Sequence, residues 1–197
     1  MDFLLVGILG SLWGSFANVC IYRLPLKGGV VKGRSFCPKC KKKIFWYENI
    51  PILSYLFLGG KCSKCKKKIS SQYLLVETIS TISFLIIYYF FGISLTSILL
   101  MILFLSFLII FFIDLKHYII PNILTFPMMV LGFVKSFDPN LNPIFPNYTN
   151  SLIGGIFGYL IIWTIILFYK KIRNKEGMGL GDAKLLAVIG FWFGWVS

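Results

Sequence analysis

Six side chains in this 197-residue sequence have types and spacings that could do chemistry: four cysteines and two aspartates. Cys37 and Cys40 stand in CPKCKKKI, Cys62 and Cys65 in CSKCKKKI, a repeat identical at seven of eight positions. Each C-x-x-C lets two sulfurs face one ion, and two pairs complete a tetrahedral four-thiolate site. The pairs stand 21 residues apart, slightly more than the usual zinc-ribbon separation. Disulfides and redox thiols are the competing chemistry. A closed four-thiolate site has no open position, so zinc there would be structural rather than catalytic. Cys20, the fifth cysteine, lies in an apolar run and is read as ordinary packing.

The aspartates sit at the edges of apolar runs. Asp114 closes ISLTSILLMILFLSFLIIFFI, and Asp182 stands in GMGLGDAK just ahead of LLAVIGFWFGW. With Glu77, they are the three acids within or beside the later runs, and intramembrane acids are functional candidates by default. Asp182 has a plain alternative as a helix N-cap, with Gly179 and Gly181 making the turn. Asp114 is harder to excuse, because a carboxylate at a helix C-terminus opposes the macrodipole. Two carboxylates sharing a site cannot easily both ionise. The ionised one would activate a water for attack on a peptide carbonyl, and the protonated one would polarise that carbonyl. The helix dipoles give the first role to Asp182 and the second to Asp114, as microstates of a coupled pair. His117, the only histidine, reads as an interfacial polar residue.

The elements that position these groups are membrane helices. The chain is 57% hydrophobic and 14% charged, which excludes a soluble domain of this size. Apolar runs fall at 3–22 and at about 74–92, 95–113, 119–134, 151–169 and 183–197. Lipid cannot satisfy free backbone groups, so each must be helical. The first run lacks a basic leading region and is a retained span rather than a signal peptide. The expected architecture is an all-α polytopic membrane protein of about six transmembrane helices with a small cytoplasmic zinc-ribbon-like loop domain. Its parts are a first helix at 1–22, a basic loop domain at 23–73 and a membrane core at 74–197.

Charge sets the orientation. Of 20 Lys and Arg residues, 13 lie between Arg23 and Tyr73 with Glu48 as the one acid, a local charge of +12. The positive-inside bias places that loop in the cytoplasm and the N-terminus outside. Loop 135–150, with one lysine, then lies outside, and loop 170–182, with four basic residues, inside. Alternation puts Asp114 and Asp182 on the same cytoplasmic face. The reducing cytoplasm disfavours disulfides and favours zinc. The basic residues read as topology determinants touching anionic lipid, not as a nucleic-acid site. Between the cysteine pairs, FWYENIPILSYLFLGG either packs on the zinc knuckles or lies along the membrane surface.

The ordered motifs GSFANVCIYRLP, the paired cysteines, ENIPILSYLFLGGKC, SSQYLLVE, DLKHYIIPN and GMGLGDAKLLAVIGFWFGW resemble the prepilin peptidase family. These are G-x-G-D membrane aspartic proteases of type IV pilus, type II secretion and competence systems. The resemblance implies that Asp114 and Asp182 are catalytic and that Cys37, Cys40, Cys62 and Cys65 hold zinc. It implies prepilin or pseudopilin substrates, cut at the cytoplasmic face of the bacterial inner membrane after the glycine that ends a basic leader. It further implies N-methylation of the new terminus with S-adenosylmethionine, for which no binding residue is assigned. Gly179 and Gly181 would then let substrate backbone approach Asp182. A +12 loop would repel a basic leader, so Glu48, Glu77 or leader-bound lipid is expected to offset the repulsion. Two departures stand out: Ala17 replaces a larger apolar residue, and the sequence stops at Ser197, where the family usually continues through further helices. A C-terminal truncation or a compact variant is therefore expected. Rival functions are a non-catalytic zinc-ribbon membrane anchor, a preflagellin-peptidase-like or signal-peptide-peptidase-like protease, and an ion-coupled transporter. The anchor leaves both aspartates unexplained, the cysteine loop disfavours the other proteases, and no inverted repeat supports a transporter.

Overall fold

The computed structural model describes residues 2–26, 36–37, 39–141, 144–173 and 179–195. The chain forms two compact units, Met1–His117 and Tyr118–Ser197. Among the described residues the architecture is helical, with two isolated antiparallel bridges in place of any strand. Met178 and its neighbours 174–177, part of the glycine-rich stretch before Asp182, lie outside the described residues.

The first unit contains α1 (Asp2–Arg23), the short α2 (Leu53–Phe57), α3 (Gln72–Phe91) and α4 (Leu95–His117). α1, α3 and α4 are long and apolar enough to cross a membrane. Lipid offers no hydrophobic force between helices, so close packing of small residues has to hold them. The sequence supplies Gly10 and Gly14, four apart on one face of α1. A Cβ on Gly10 would come within 2.9 Å of the Thr81 Cα, and one on Gly14 within 2.8 Å of the Glu77 Cα. The two backbones therefore touch, and buried Ser80 donates to the Gly10 carbonyl at 2.8 Å. α3 ends at Gly92, whose φ of 59° suits glycine, its N–H returning to the Tyr88 carbonyl.

The second unit contains α5 (Asn122–Val134), α6 (Tyr148–Arg173) and α7 (Leu180–Phe193). α6 is long and apolar enough to cross a membrane. The expected fourth and sixth spans are present as shorter helices. α5 runs on through a 3-10 turn to Phe137 as one apolar stretch, and α7 has 14 residues. Small residues again permit contact: Gly154, Gly155 and Gly158 are buried on α6, and a Cβ on Gly190 of α7 would overlap the Gly154 carbonyl. At the end of α7, fully buried Trp192 donates its indole N–H to the Met128 carbonyl at 2.9 Å. Ser151 donates to the Phe191 carbonyl at 2.7 Å and Lys135 to the Trp192 carbonyl at 3.0 Å. Lys135 is itself buried, with its ammonium 3.9 Å from the centre of the Phe145 ring. Ser151 and Lys135 thereby satisfy carbonyls that the C-terminus of α7 leaves open.

Candidate functional site

The repeated octapeptide folds the same way twice. In the first copy, the Cys37 N–H donates to the Lys42 carbonyl and the Lys41 N–H to the Cys37 carbonyl. In the second, Cys62 pairs with Lys67 and Lys66 with Cys62 in the same pattern. An antiparallel bridge flanks each turn, Phe36 with Lys43 and Lys61 with Lys68. The turns bring all four Sγ atoms within 4.8 Å of one another. Cys37 and Cys65 sulfurs are 4.0 Å apart, and those of Cys40 and Cys62 3.9 Å. A tetrahedron of thiolates at zinc–sulfur bonds of about 2.3 Å has edges of about 3.8 Å, so the donor set and its spacing fit zinc. Backbone N–H groups of Cys65 and Lys64 hold the Cys62 thiol down, while its neighbour Cys40 is pushed up, so the four sulfurs share charge unevenly until a cation joins them.

Both turns place a lysine in the left-handed region, Lys41 and Lys66 each at φ 55°. That conformation costs an L-residue about 1–2 kcal/mol, and glycine occupies it without a clash. Lys66 is exposed, so little else depends on its side chain. Lys66→Gly is expected to stabilise the second knuckle by up to about 1 kcal/mol, read as slower amide exchange across residues 62–69.

Glu48 ties the two knuckles together. Its carboxylate accepts from Lys42 Nζ at 2.8 Å, and the same ammonium donates to the Ser63 hydroxyl at 2.7 Å. The Lys42 ammonium first, then Ser63, hold the Glu48 carboxyl down at about 2. A carboxyl held lower in the fold than its ordinary 4.5 stabilises the fold above that value, and the contribution fades as pH falls toward 2. Glu48→Gln should therefore weaken loop protection against proteolysis at neutral pH. The gap from wild type should narrow only below about pH 4.5.

A cavity of about 820 Å³ lies between this loop and the helices of the first unit, with Asn18, Tyr73 and Glu77 on its wall. Asn18 donates from Nδ2 to the Tyr73 carbonyl at 3.1 Å. Glu77, 7% exposed on α3, accepts the Ile52 N–H at 2.8 Å. Sequence reading made this glutamate a candidate to offset the basic loop and gave no sign of its main-chain contact. Its partner is a main-chain group 25 residues away, which no side-chain pattern announces.

Each aspartate is described within its own unit. Asp114 is exposed and lies inside the last turn of α4, which runs to His117 rather than stopping at 113. Lys116 and His117 favour that extension, since cations suit a helix C-terminus. Asp182 is half-buried in the first turn of α7. It is not the N-cap: Gly179 takes that position, at φ −80° and ψ 148°, and Asp182 is the third helical residue. Gly179 thus adopts an extended conformation open to any residue. Gly181 is needed for proximity, since a Cβ there would meet the Ile120 Cβ at 3.0 Å.

Comparison with known proteins addresses both halves of the chain. Residues 8–91 match the bacterial peptidase A24 N-terminal domain, and residues 100–197 match the type IV leader peptidase family. A prepilin leader peptidase/N-methyltransferase of Pseudomonas aeruginosa is 35% identical over 95% of this chain and 71% of its own length. Its counterpart from Vibrio cholerae is 37% identical over 97% of this chain and 77% of its own. That from Neisseria gonorrhoeae is 34% identical over 96% and 74%. The chain belongs to the type IV leader peptidase family. No solved structure matches it significantly. Asp114 and Asp182 fall in the segment matching the family itself, and the four cysteines in the N-terminal domain. Within the family segment, Lys184 also went unremarked in the sequence. Its ammonium donates to the Asn122 side-chain carbonyl at 2.8 Å, joining the starts of α5 and α7. The motifs PN and GDAK, far apart in sequence, hold the two residues, and only the fold shows that they meet.

Proposed function

We propose that this chain is a prepilin leader peptidase, cutting the basic leader of type IV prepilins or pseudopilins at the cytoplasmic face of the inner membrane. The observation that carries the reading is 35% identity with the Pseudomonas aeruginosa enzyme over 95% of the chain. Asp114 and Asp182 form the catalytic pair. Asp182, in the first turn of α7, takes the base role and orients the attacking water; Asp114, in the last turn of α4, gives a proton to the substrate carbonyl. Gly179 and Gly181 form the approach to Asp182. The substrate's apolar helix reaches the pair from the lipid, and the peptide bond then breaks with its proton passed to the leaving amine.

The chain divides functionally into a first helix at 1–22, a cytoplasmic loop domain at 23–73 and a protease core at 74–197, with the N-terminus outside. Cys37, Cys40, Cys62 and Cys65 hold a structural zinc, which has no part in hydrolysis. The same chain N-methylates the new terminus. S-adenosylmethionine, when bound, supplies an electrophilic methyl group. The cavity of about 820 Å³ in the first unit is of a size for such a ligand. Asn18, Tyr73 and Glu77 on its wall would hold the ammonium and carboxylate that the ligand carries.

Co-expression with a prepilin tests the reading: leader removal appears as a mobility shift, and mass spectrometry of the new N-terminus reports methylation. A wild type that leaves every prepilin intact, indistinguishable from both aspartate variants, would favour the non-catalytic anchor.

A further inference from the structure

The stretch between the cysteine pairs touches the knuckles through Phe45, Glu48 and Tyr55, and leaves its largest apolar side chains uncovered. Trp46 is 80% exposed and Phe57 87% exposed, and nothing in α2 is buried. The helix is amphipathic in the inverted sense. Leu53, Leu56 and Phe57, spaced i, i+3, i+4 on one face, all point outward. Ser54, Tyr55 and Leu58 line the cavity on the other side. In water this arrangement would be costly, so the surroundings of that face have to be apolar.

The position of α2 says what those surroundings are. Ile52, immediately before α2, donates its N–H to Glu77. Glu77 is the sixth residue of the membrane-capable α3, about 8 Å along the helix from its start. The start of α2 is therefore pinned beside a membrane-capable helix, near that helix's loop end. Ile52 accepts φ 62° to make this contact, a conformation unfavourable for a β-branched residue. The loop that carries the stripe is strongly basic: Lys41, Lys43, Lys64 and Lys66 are exposed, while Glu48 is the one acid in residues 23–73 and is taken by Lys42. Exposed apolar side chains on so basic a loop match one surface, a bilayer rich in anionic headgroups.

We propose that α2 and the turn before it are an interfacial anchor. Trp46, Leu53, Leu56 and Phe57 insert at the headgroup–acyl boundary of the leaflet where the loop joins α1 and α3, and the lysines contact anionic headgroups. The proposal stands apart from the catalytic reading; only the assignment to the cytoplasmic leaflet rests on it.

The test uses the full chain, one copy per nanodisc, in phosphatidylcholine alone or mixed with phosphatidylglycerol. The emission of Trp46 is taken as the difference between wild type and Trp46→Phe, which cancels the other four tryptophans. With a nitroxide on the lipid chain near the carbonyl, the Trp46 component should lose roughly half its emission or more, and aqueous iodide should quench it little. The effect should be larger with phosphatidylglycerol, and Leu56→Ser with Phe57→Ser should return Trp46 to iodide. Iodide quenching without nitroxide quenching in both lipids would overturn the proposal. So would protection from iodide that appears only when two copies share a disc, which would make this face a contact between copies.

Discussion

Asp114→Asn and Asp182→Asn should each lower kcat/KM for leader cleavage by on the order of 10³-fold or more. Asparagine keeps the size of aspartate and removes its charge and its capacity to take or give a proton. Neither change should disturb the helices. Asp114 is exposed in a last turn, and Asp182 is the third residue of a helix already capped by Gly179. Unchanged helical content by circular dichroism, with cleavage gone, is the expected signature. The double variant should be little worse than either single one, because groups that act on one proton inventory do not contribute additively. Near-wild-type cleavage by either single variant would rule out the pair.

Cys62→Ser should take the zinc content of the purified protein from one per chain to none and unfold the loop. Structural zinc sites of small domains contribute apparent binding free energies of about 10–16 kcal/mol, most of which is folding free energy. The stretch around the knuckles has little else to hold it: among the described residues from 36 to 69, Cys37, Gly60 and Cys62 alone are buried. Metal analysis and amide exchange check this directly, and a strong chelator should reproduce the variant in wild type. Protection in α3 and α4 should persist, since the Gly10 and Gly14 contacts lie far along α1 from the loop. A serine variant that kept its metal and its loop protection would exclude the four-thiolate site.

The features most legible in the sequence were those encoded by local spacing. A repeat identical at seven of eight positions produced two superimposable turns, down to the left-handed lysine in each. Hydropathy located α1, α3, α4, α5, α6 and α7, because lipid leaves so few alternatives. Helix ends were less legible: α4 continues past its last apolar residue to His117, since hydropathy marks the edge of lipid rather than the last helical hydrogen bond. Long-range polar contacts were not legible. Glu77 accepting from Ile52, Lys135 reaching the Trp192 carbonyl and Lys184 meeting Asn122 each join a side chain to a partner that composition does not mark. The outward stripe of α2 was ambiguous for a related reason, since an apolar stretch reads the same whether it is covered by protein or by lipid.

The clamp at the end of α7 has a mechanical consequence. Ser151, Lys135 and the Trp192 indole fix the last turn in three directions. Asp182 stands ten residues away, about 15 Å up the helix, in a turn tied by the exposed Lys184–Asn122 contact. α7 is thus held at both ends, and Ala183, beside Asp182, is fully buried. The height of the carboxylate on the helix is set from one end by a clamp closed to water and from the other by a contact that water can reach.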